Sequence, residues 1–305
     1  MKMNKSQVIK KSSDSKRKSQ MIKALKGLTK NVSDDVKGQY GQSVEIMSGS
    51  ITISNKSFDI EFTVPFDNDT EANVAEITIY NLTNKSINEF KTKAKLTINA
   101  GYKNDTGIIF EGYISKVKSY WDGLDRITEI RAVDSFERVE QEVESISYAA
   151  GTKASYILRN LCERVGLPIA VFKIREDYTY TDETTVDGDL SDAIVQYAKV
   201  CGVSAYVCKS MIYVRPLDDG DNTRFTLSVE TGLLSVSEFE EEETINDKKV
   251  ITRGFDIESL LQHRLQTASI IELDSKNYSG TFRVREGSHE YDGDNFITKA
   301  KIVKS

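Results

Sequence analysis

The sequence predicts a mainly β protein, α+β overall, in which two similar antiparallel β-barrel or sandwich domains flank a small α+β domain. Three observations carry this. Apolar and polar residues alternate over two long stretches, the pattern of half-buried antiparallel strands. Between them the period lengthens to that of amphipathic helices. The two alternating stretches also share an order of elements. Thr, Val, Ile, Tyr and Phe are plentiful while the 305 residues include only 3 prolines, which favours strands.

The first alternating stretch runs from Val44 to Asp134. Ile51-Thr52-Ile53, Phe58 to Val64, Ala75 to Tyr80, Ala94 to Ala100, Ile109 to Val117 and Ile127 to Val133 each place apolar residues at every second position. Turn residues separate them at Ser54-Asn55-Lys56, Asp67-Asn68-Asp69, Asn104 to Gly107 and Asp122-Gly123. A short helix is expected over Ser86 to Lys91, capped by Asn84 or a neighbour.

In the middle section, Thr152 is placed to cap a helix whose inner face is Ala154, Ile157, Leu158, Leu161, Cys162 and Val165, with Gly166 as its stop. A strand follows at Ile169 to Phe172. Ser191 is placed to cap a second helix carrying Ala193, Ile194, Tyr197, Ala198 and Val200, stopped at Gly202. Val203 to Cys208, a turn at Lys209-Ser210 and Met211 to Val214 read as a hairpin.

The last section, about 224 to 305, returns to strands, with one short helix expected over Ile257 to Leu265. The acidic run Glu238 to Glu243, broken only by Phe239, reads as a solvated strand edge or loop. Here an internal repeat emerges. Tyr120-Trp121-Asp122-Gly123 followed by Ile127-Thr128 parallels Glu290-Tyr291-Asp292-Gly293 followed by Ile297-Thr298. Aligning Gly112 with Gly280 leaves two extra residues in the second copy. Upstream, Ile77–Tyr80, Ser86–Phe90 and Leu96–Ile98 are matched with Lys249–Thr252, Ile257–Leu265 and Ser269–Glu272. Asp-Gly before β-branched residues is common hairpin chemistry. The shared element order argues for duplication. The boundaries expected are a basic N-terminal arm at 1–38, a first β-domain at 39–142, an α+β domain at 143–222 and a second β-domain at 223–305.

Charge is unevenly spread. The net charge is -6, yet the first thirty residues hold ten Lys or Arg, from Lys2 to Lys30, against Asp14 alone. The acidic remainder disfavours nucleic-acid binding, and the basic arm suits an acidic partner. Cys162, Cys201 and Cys208 are odd in number and form no CxxC, so neither a disulfide framework nor a zinc site is expected. No apolar run is long enough for a transmembrane helix, and no signal-peptide core precedes the body. Catalytic chemistry is poorly supplied. His263 and His289 are the only histidines; His289, before a turn, reads as a strand-end surface residue, and His263 as a packing or interface residue on the short helix. Glu142 with Glu144, or Asp187 with Asp189, could be posed as a hydrolase pair. Tyr178, Tyr180, Tyr120 and Trp121 are the local aromatic concentrations a carbohydrate-binding face would use, and all fit strand faces. No catalytic, cofactor-binding or metal residue is assigned, and no cofactor is expected.

The stretch Ala75 to Leu82, with Ala100-Gly101-Tyr102, Gly107 to Gly112 and Ile130 to Asp134, resembles the first β-domain of phage baseplate hub proteins, including the late control protein D family. Gly280 to Val284, then His289, Asp292 and Gly293, resembles the closing domain of that family, and the helices and hairpin of 152–214 its middle region. The resemblance covers about 44 to 305 and leaves the arm outside. It implies a structural, non-enzymatic subunit of a virion tail baseplate, made in the host cytoplasm and without stable membrane insertion. It implies a homotrimer whose two tube-like β-domains per chain form a pseudo-sixfold ring. That ring would join a hexameric tail tube protein to a trimeric spike protein beside other baseplate subunits. DNA or a tape-measure protein would pass through its channel. The competing readings are a tail-tip peptidoglycan hydrolase and a receptor- or carbohydrate-binding β-module.

Overall fold

The computed structural model describes residues 41–68, 72–102, 104–134, 142–216, 218–245 and 248–305. The basic arm lies outside them. The first section holds β1 (Gln42–Ser48), β2 (Ile51–Ser54), β3 (Ile60–Phe66), β4 (Val74–Tyr80), α1 (Asn84–Glu89), β5 (Lys95–Tyr102), β6 (Asp105–Asp122) and β7 (Asp125–Val133). The alternation becomes burial here: Ile60, Phe62 and Val64 of β3 and Ile77 and Ile79 of β4 all point into one core with Ile98 and Ile130. Thr83 caps α1, its hydroxyl accepting from the Ser86 amide, rather than Asn84.

The middle section holds β8 (Glu142–Tyr148), α2 (Ala154–Val165), β9 (Ile169–Phe172), β10 (Thr184–Asp189), α3 (Leu190–Val200), β11 (Ser204–Cys208) and β12 (Met211–Arg215). All six residues expected on the inner face of α2 are buried. Fully burying a Leu or Ile there contributes about 1.5–3 kcal/mol. Gly166 ends α2 at φ 78, in the left-handed region that glycine enters without strain. The starts differ from expectation by a residue or two. Lys153 precedes α2 without a side-chain cap, while the Thr152 hydroxyl donates to the Ala149 carbonyl. The Asp189 carboxylate caps α3 by accepting from the Ser191 and Asp192 amides.

The last section holds β13 (Asp221–Ser228), β14 (Leu233–Ile245), β15 (Lys248–Leu260), β16 (Ser269–Asp274), β17 (Ser279–Tyr291) and β18 (Phe296–Lys304). The helix expected over Ile257–Leu265 is absent. Ile257 to Leu260 finish β15, paired with β18 from Ala300 to Ile297, and the chain then crosses to β16 through turns. Apolar residues at 257, 260, 261 and 265 satisfy helical spacing. The partner strand supplies a full backbone ladder instead, which a six-to-nine-residue helix cannot match.

The strands of the first and last sections lie in one 13-stranded sheet, whose main path runs β14-β15-β18-β17-β3-β4-β7-β6-β5-β1-β2, with β16 and β13 continuing from β17. Apart from the parallel β13–β16 pair, its ladders are antiparallel. The protein is thus mainly β, as the alternation predicts. The middle section adds a two-stranded β10-β8 sheet and a three-stranded β11-β12-β9 sheet. Leu261 and Phe296 of the last section enter the core of the first, so the two β sections share packing as well as backbone.

Candidate functional site

Two hairpins built to one plan dominate the sheet. In the β6–β7 ladder Tyr113 pairs with Val133, Lys116 with Arg131 and Ser119 with Thr128. In β17–β18 Arg283 pairs with Val303, Glu286 with Lys301 and His289 with Thr298. Adding 170 carries one register onto the other throughout (133 to 303, 131 to 301, 128 to 298). The single irregularity coincides as well. Ser115 is the extra residue of the first ladder and Arg285 that of the second. A bulge bends and twists its strand, so a shared bulge gives both hairpins one curvature. Gly112 therefore corresponds to Phe282 rather than Gly280, and no insertion falls within the ladder.

The likeness extends outward. β6 is flanked by β7, β4 and β3 on one side and β5 and β1 on the other; β17 is flanked likewise by β18, β15 and β14, and by β16 and β13. Ile77 pairs with Ile130 as Ile257 pairs with Ala300, so β4 matches β15. Among the described residues the copies differ in that α1 has no helical counterpart before β16, β2 has no counterpart beside β13, and β1 is antiparallel to β5 whereas β13 is parallel to β16.

The copies are fused edge to edge. Beyond its pairing with β16, β17 uses residues 287–291 to pair antiparallel with β3, from Gly287 opposite Phe66 to Tyr291 opposite Phe62. His289 sits inside this joint. It is 1 % exposed, its Nδ1 lies 2.8 Å from the Thr298 hydroxyl, and its ring meets that of Phe66 at 5.0 Å. It is not the surface residue its place before a turn suggested. The partner that covers it comes from β3, at the other end of the described chain. Burial first, then Lys209 and His263, push its pKa down to about 3.

A second fastening lies where all three sections meet. Arg264 donates through both terminal nitrogens to Asp105 at 2.7 Å, holding that carboxyl below its usual range. His263 follows the end of β15 in a turn, not a helix, and packs so closely on Gly107 that a Cβ there would stand 2.1 Å from its Cδ2. Burial, then Arg264, depresses its pKa, with Asp105 opposing. The Lys209-Ser210 turn reaches the same place. The Ser210 hydroxyl donates to the Glu111 carbonyl, and Lys209, His263, Arg264 and Met211 line an open cleft of about 540 Å³. Thr267 donates to the Asp67 carbonyl, and Arg215 is buried between Tyr206 and Asp221.

The remaining sequence candidates do not converge. Asp189 is occupied as a helix cap, and Asp187 is exposed on the same strand. Glu142 and Glu144 lie on β8, with Glu142 opposite Asp189 in the ladder. Tyr178 and Tyr180 stack edge-on at 4.9 Å in the middle section, while Tyr120 and Trp121 lie on β6. Tyr120 donates to Glu129 across the hairpin, and Trp121 is 68 % exposed at its tip. The three cysteines are buried, and burial raises each thiol. Among the described residues no group of three or more metal-ligating side chains occurs, and no helix is long and apolar enough to cross a membrane. Buried Arg215 and Arg283 carry no local signature, because their partners lie in other elements.

A family described as Baseplate hub gp41 matches residues 44–278. No curated protein matches the sequence. The fold is similar to the 43 kDa tail protein of prophage MuSo2 from Shewanella oneidensis, at TM-score 0.63 and 7% identity over 87% of this chain and 97% of that one. A tail protein from Neisseria meningitidis gives TM-score 0.61 and 10% identity over 87% and 97% of the two chains. A component of the type VI secretion system from E. coli, described as similar to bacteriophage tail proteins, gives 0.61 and 10% over 85% and 76%.

Proposed function

Because the chain belongs to the baseplate hub gp41 family, we propose that its doubled sheet makes it a threefold-to-sixfold adaptor between tail tube and spike. Its coarse role follows from the family: it is a structural component of the virion tail baseplate. The adaptor reading is carried by one observation, the identical register and bulge of the β6–β7 and β17–β18 hairpins. A chain that repeats one unit offers two near-equivalent faces. Three copies around an axis then present six, enough to stack on a hexameric tube while keeping threefold symmetry for a spike.

The same reading gives the ring a channel for DNA or a tape-measure protein. Support comes from the outward polar face of the second hairpin, where Lys299 is paired with Glu290, and Lys301 with Glu241 and Glu286. Neutralised cations offer little grip to phosphates. The boundaries proposed are those read from the sequence, with the arm of 1–38 docking on an acidic neighbour. The hydrolase alternative gains nothing from Asp189, whose carboxylate already serves a helix end.

Imaging of the purified chain with its spike tests the reading. A threefold particle with six similar lobes around a pore is expected. A particle without threefold symmetry, or without a pore, refutes it.

A further inference from the structure

The repeat leaves one edge unmatched. On β17, residues 279–283 pair with β16 and residues 287–291 with β3, so the edge away from β18 is filled along most of its length. On β6, residues 105–113 pair with β5, but among the described residues no strand lies along the remainder of that edge. Residues 117–121 are the counterparts of 287–291. The counterpart of β3 is β14, because Phe62 opposite Ile77 corresponds to Val236 opposite Ile257. β14 ends the sheet, with β15 as its one partner strand among the described residues.

We propose that residues 117–121 of β6 receive β14 of a second copy of this chain, antiparallel, in the register that β17 uses for β3. Trp121 then lies opposite Val236, Ser119 opposite Glu238 and Val117 opposite Glu240. The inference deepens the ring reading and rests on it: each copy carries one joint within itself and gives one to its neighbour, and the head-to-tail contact closes at three.

Two observations beyond the unfilled edge favour this occupant. The first is aromatic exposure. Tyr291, the counterpart of Trp121, is enclosed between Phe62 and Phe296 at 5.8 and 5.1 Å, whereas Trp121, with the Arg126 guanidinium 5.8 Å from its ring in the place of Phe296, is 68 % exposed. A strand in the place of β3 would supply the missing side. The second is charge. Between Ser115 and Trp121 the edge carries Lys116 and Lys118 and no acid, while β14 carries Glu238, Glu240, Glu241 and Glu242. One step beyond the paired segment, the register sets Lys116 opposite Glu241. Side-chain parity is preserved, since Val117, Ser119 and Trp121 would share a face with Glu240, Glu238 and Val236. An unprotected edge strand is a template for another strand, and opposite charges select which one.

Cysteine pairs in assembled tail particles test the joint. Trp121→Cys combined with Val236→Cys should give oxidised ladders of two and three chains. Neither single variant, nor Trp121→Cys with Glu240→Cys, should do so. Ladders from the second pair alone, or crosslinks to a protein of another mass, overturn the joint. So does absence of crosslinking. In that last case a threefold ring in the images preserves the adaptor reading, and its absence removes both. Hydrogen exchange of the unmodified chain gives a second test should the cysteine variants fail to assemble. Residues 115–122 and 233–242 should become protected on assembly, and unchanged exchange in either segment overturns the proposal.

Discussion

Thr298 lies directly across the β17–β18 ladder from His289, its hydroxyl 2.8 Å from the ring Nδ1, and the same oxygen accepts from the Gln262 amide at 3.0 Å. Both side chains are buried, so neither water nor a neighbour can replace the bond. Its counterpart Thr128, equally buried, faces half-buried Ser119 at 3.3 Å, a longer contact between groups that keep other options. Thr298→Val should therefore lower stability by about 1–3 kcal/mol, the cost of stranding buried polar groups, and Thr128→Val by less than about 1 kcal/mol. Urea midpoints of the two variants check this. Equal losses would mean that the two hairpins are held alike.

Stability against pH should show two opposed contributions. His289 is held down to about 3 by burial, against an ordinary 6.5. The unfolded chain thus binds a proton that the fold refuses, and this contribution is lost as pH falls from 6.5 towards 3. Asp134 is pushed up to about 7 by burial, partly opposed by its bonds from Asn73, against an ordinary 3.8. Its contribution is present below 3.8 and lost as pH rises towards 7. Between about pH 4.5 and 6.5 the two slopes, each about 1.4 kcal/mol per pH unit, oppose one another. His289→Gln should leave stability falling with pH in that window, and Asp134→Asn should leave it rising. Parallel profiles for the two variants would contradict the assignment.

Much of this architecture is legible locally. Six of the seven strands of the first section, β2 to β7, are marked by their alternation, β1 not being singled out, and the inner face of α2 is fixed by residues within twelve positions of one another. The features that depart from the local pattern depend on distant partners. Ile257 to Leu265 fits a helix until β18 is known to lie alongside Ile257 to Leu260. His289 looks like a turn-flanking surface residue until β3 is known to cross it, bringing Phe66. The open edge of β6 is invisible to any local pattern, since it is defined by a pairing present in one copy and missing in the other.

The strand-facing assignment can be tested in the first core. Ile77 is 2 % exposed and Ile98 fully buried, with no cation beside them in that apolar cluster. Ile77→Asp or Ile98→Asp should each cost about 3 kcal/mol or more through an unpaired buried charge, enough to unfold the first β section. Circular dichroism and proteolysis read the outcome. Wild-type melting in either variant would place these residues on the wrong side of their strands.

The joint between the copies depends on a missing side chain. At Gly287 a Cβ would stand 2.2 Å from the Lys299 carbonyl oxygen and 2.6 Å from the Phe66 ring. The corresponding position on β6 is Val117, whose side chain packs, partly buried, against the first core. The Phe66 ring could rotate away, but the carbonyl is fixed by the β17–β18 ladder. Gly287→Val should therefore destabilise the chain by about 1–3 kcal/mol. Adding Phe66→Ala should recover only part of the loss, because the clash with the main chain remains. If Gly287→Val unfolds at the wild-type urea midpoint, β3 and β17 do not meet in this register, and the joint from which the β6–β14 contact is extrapolated goes with it.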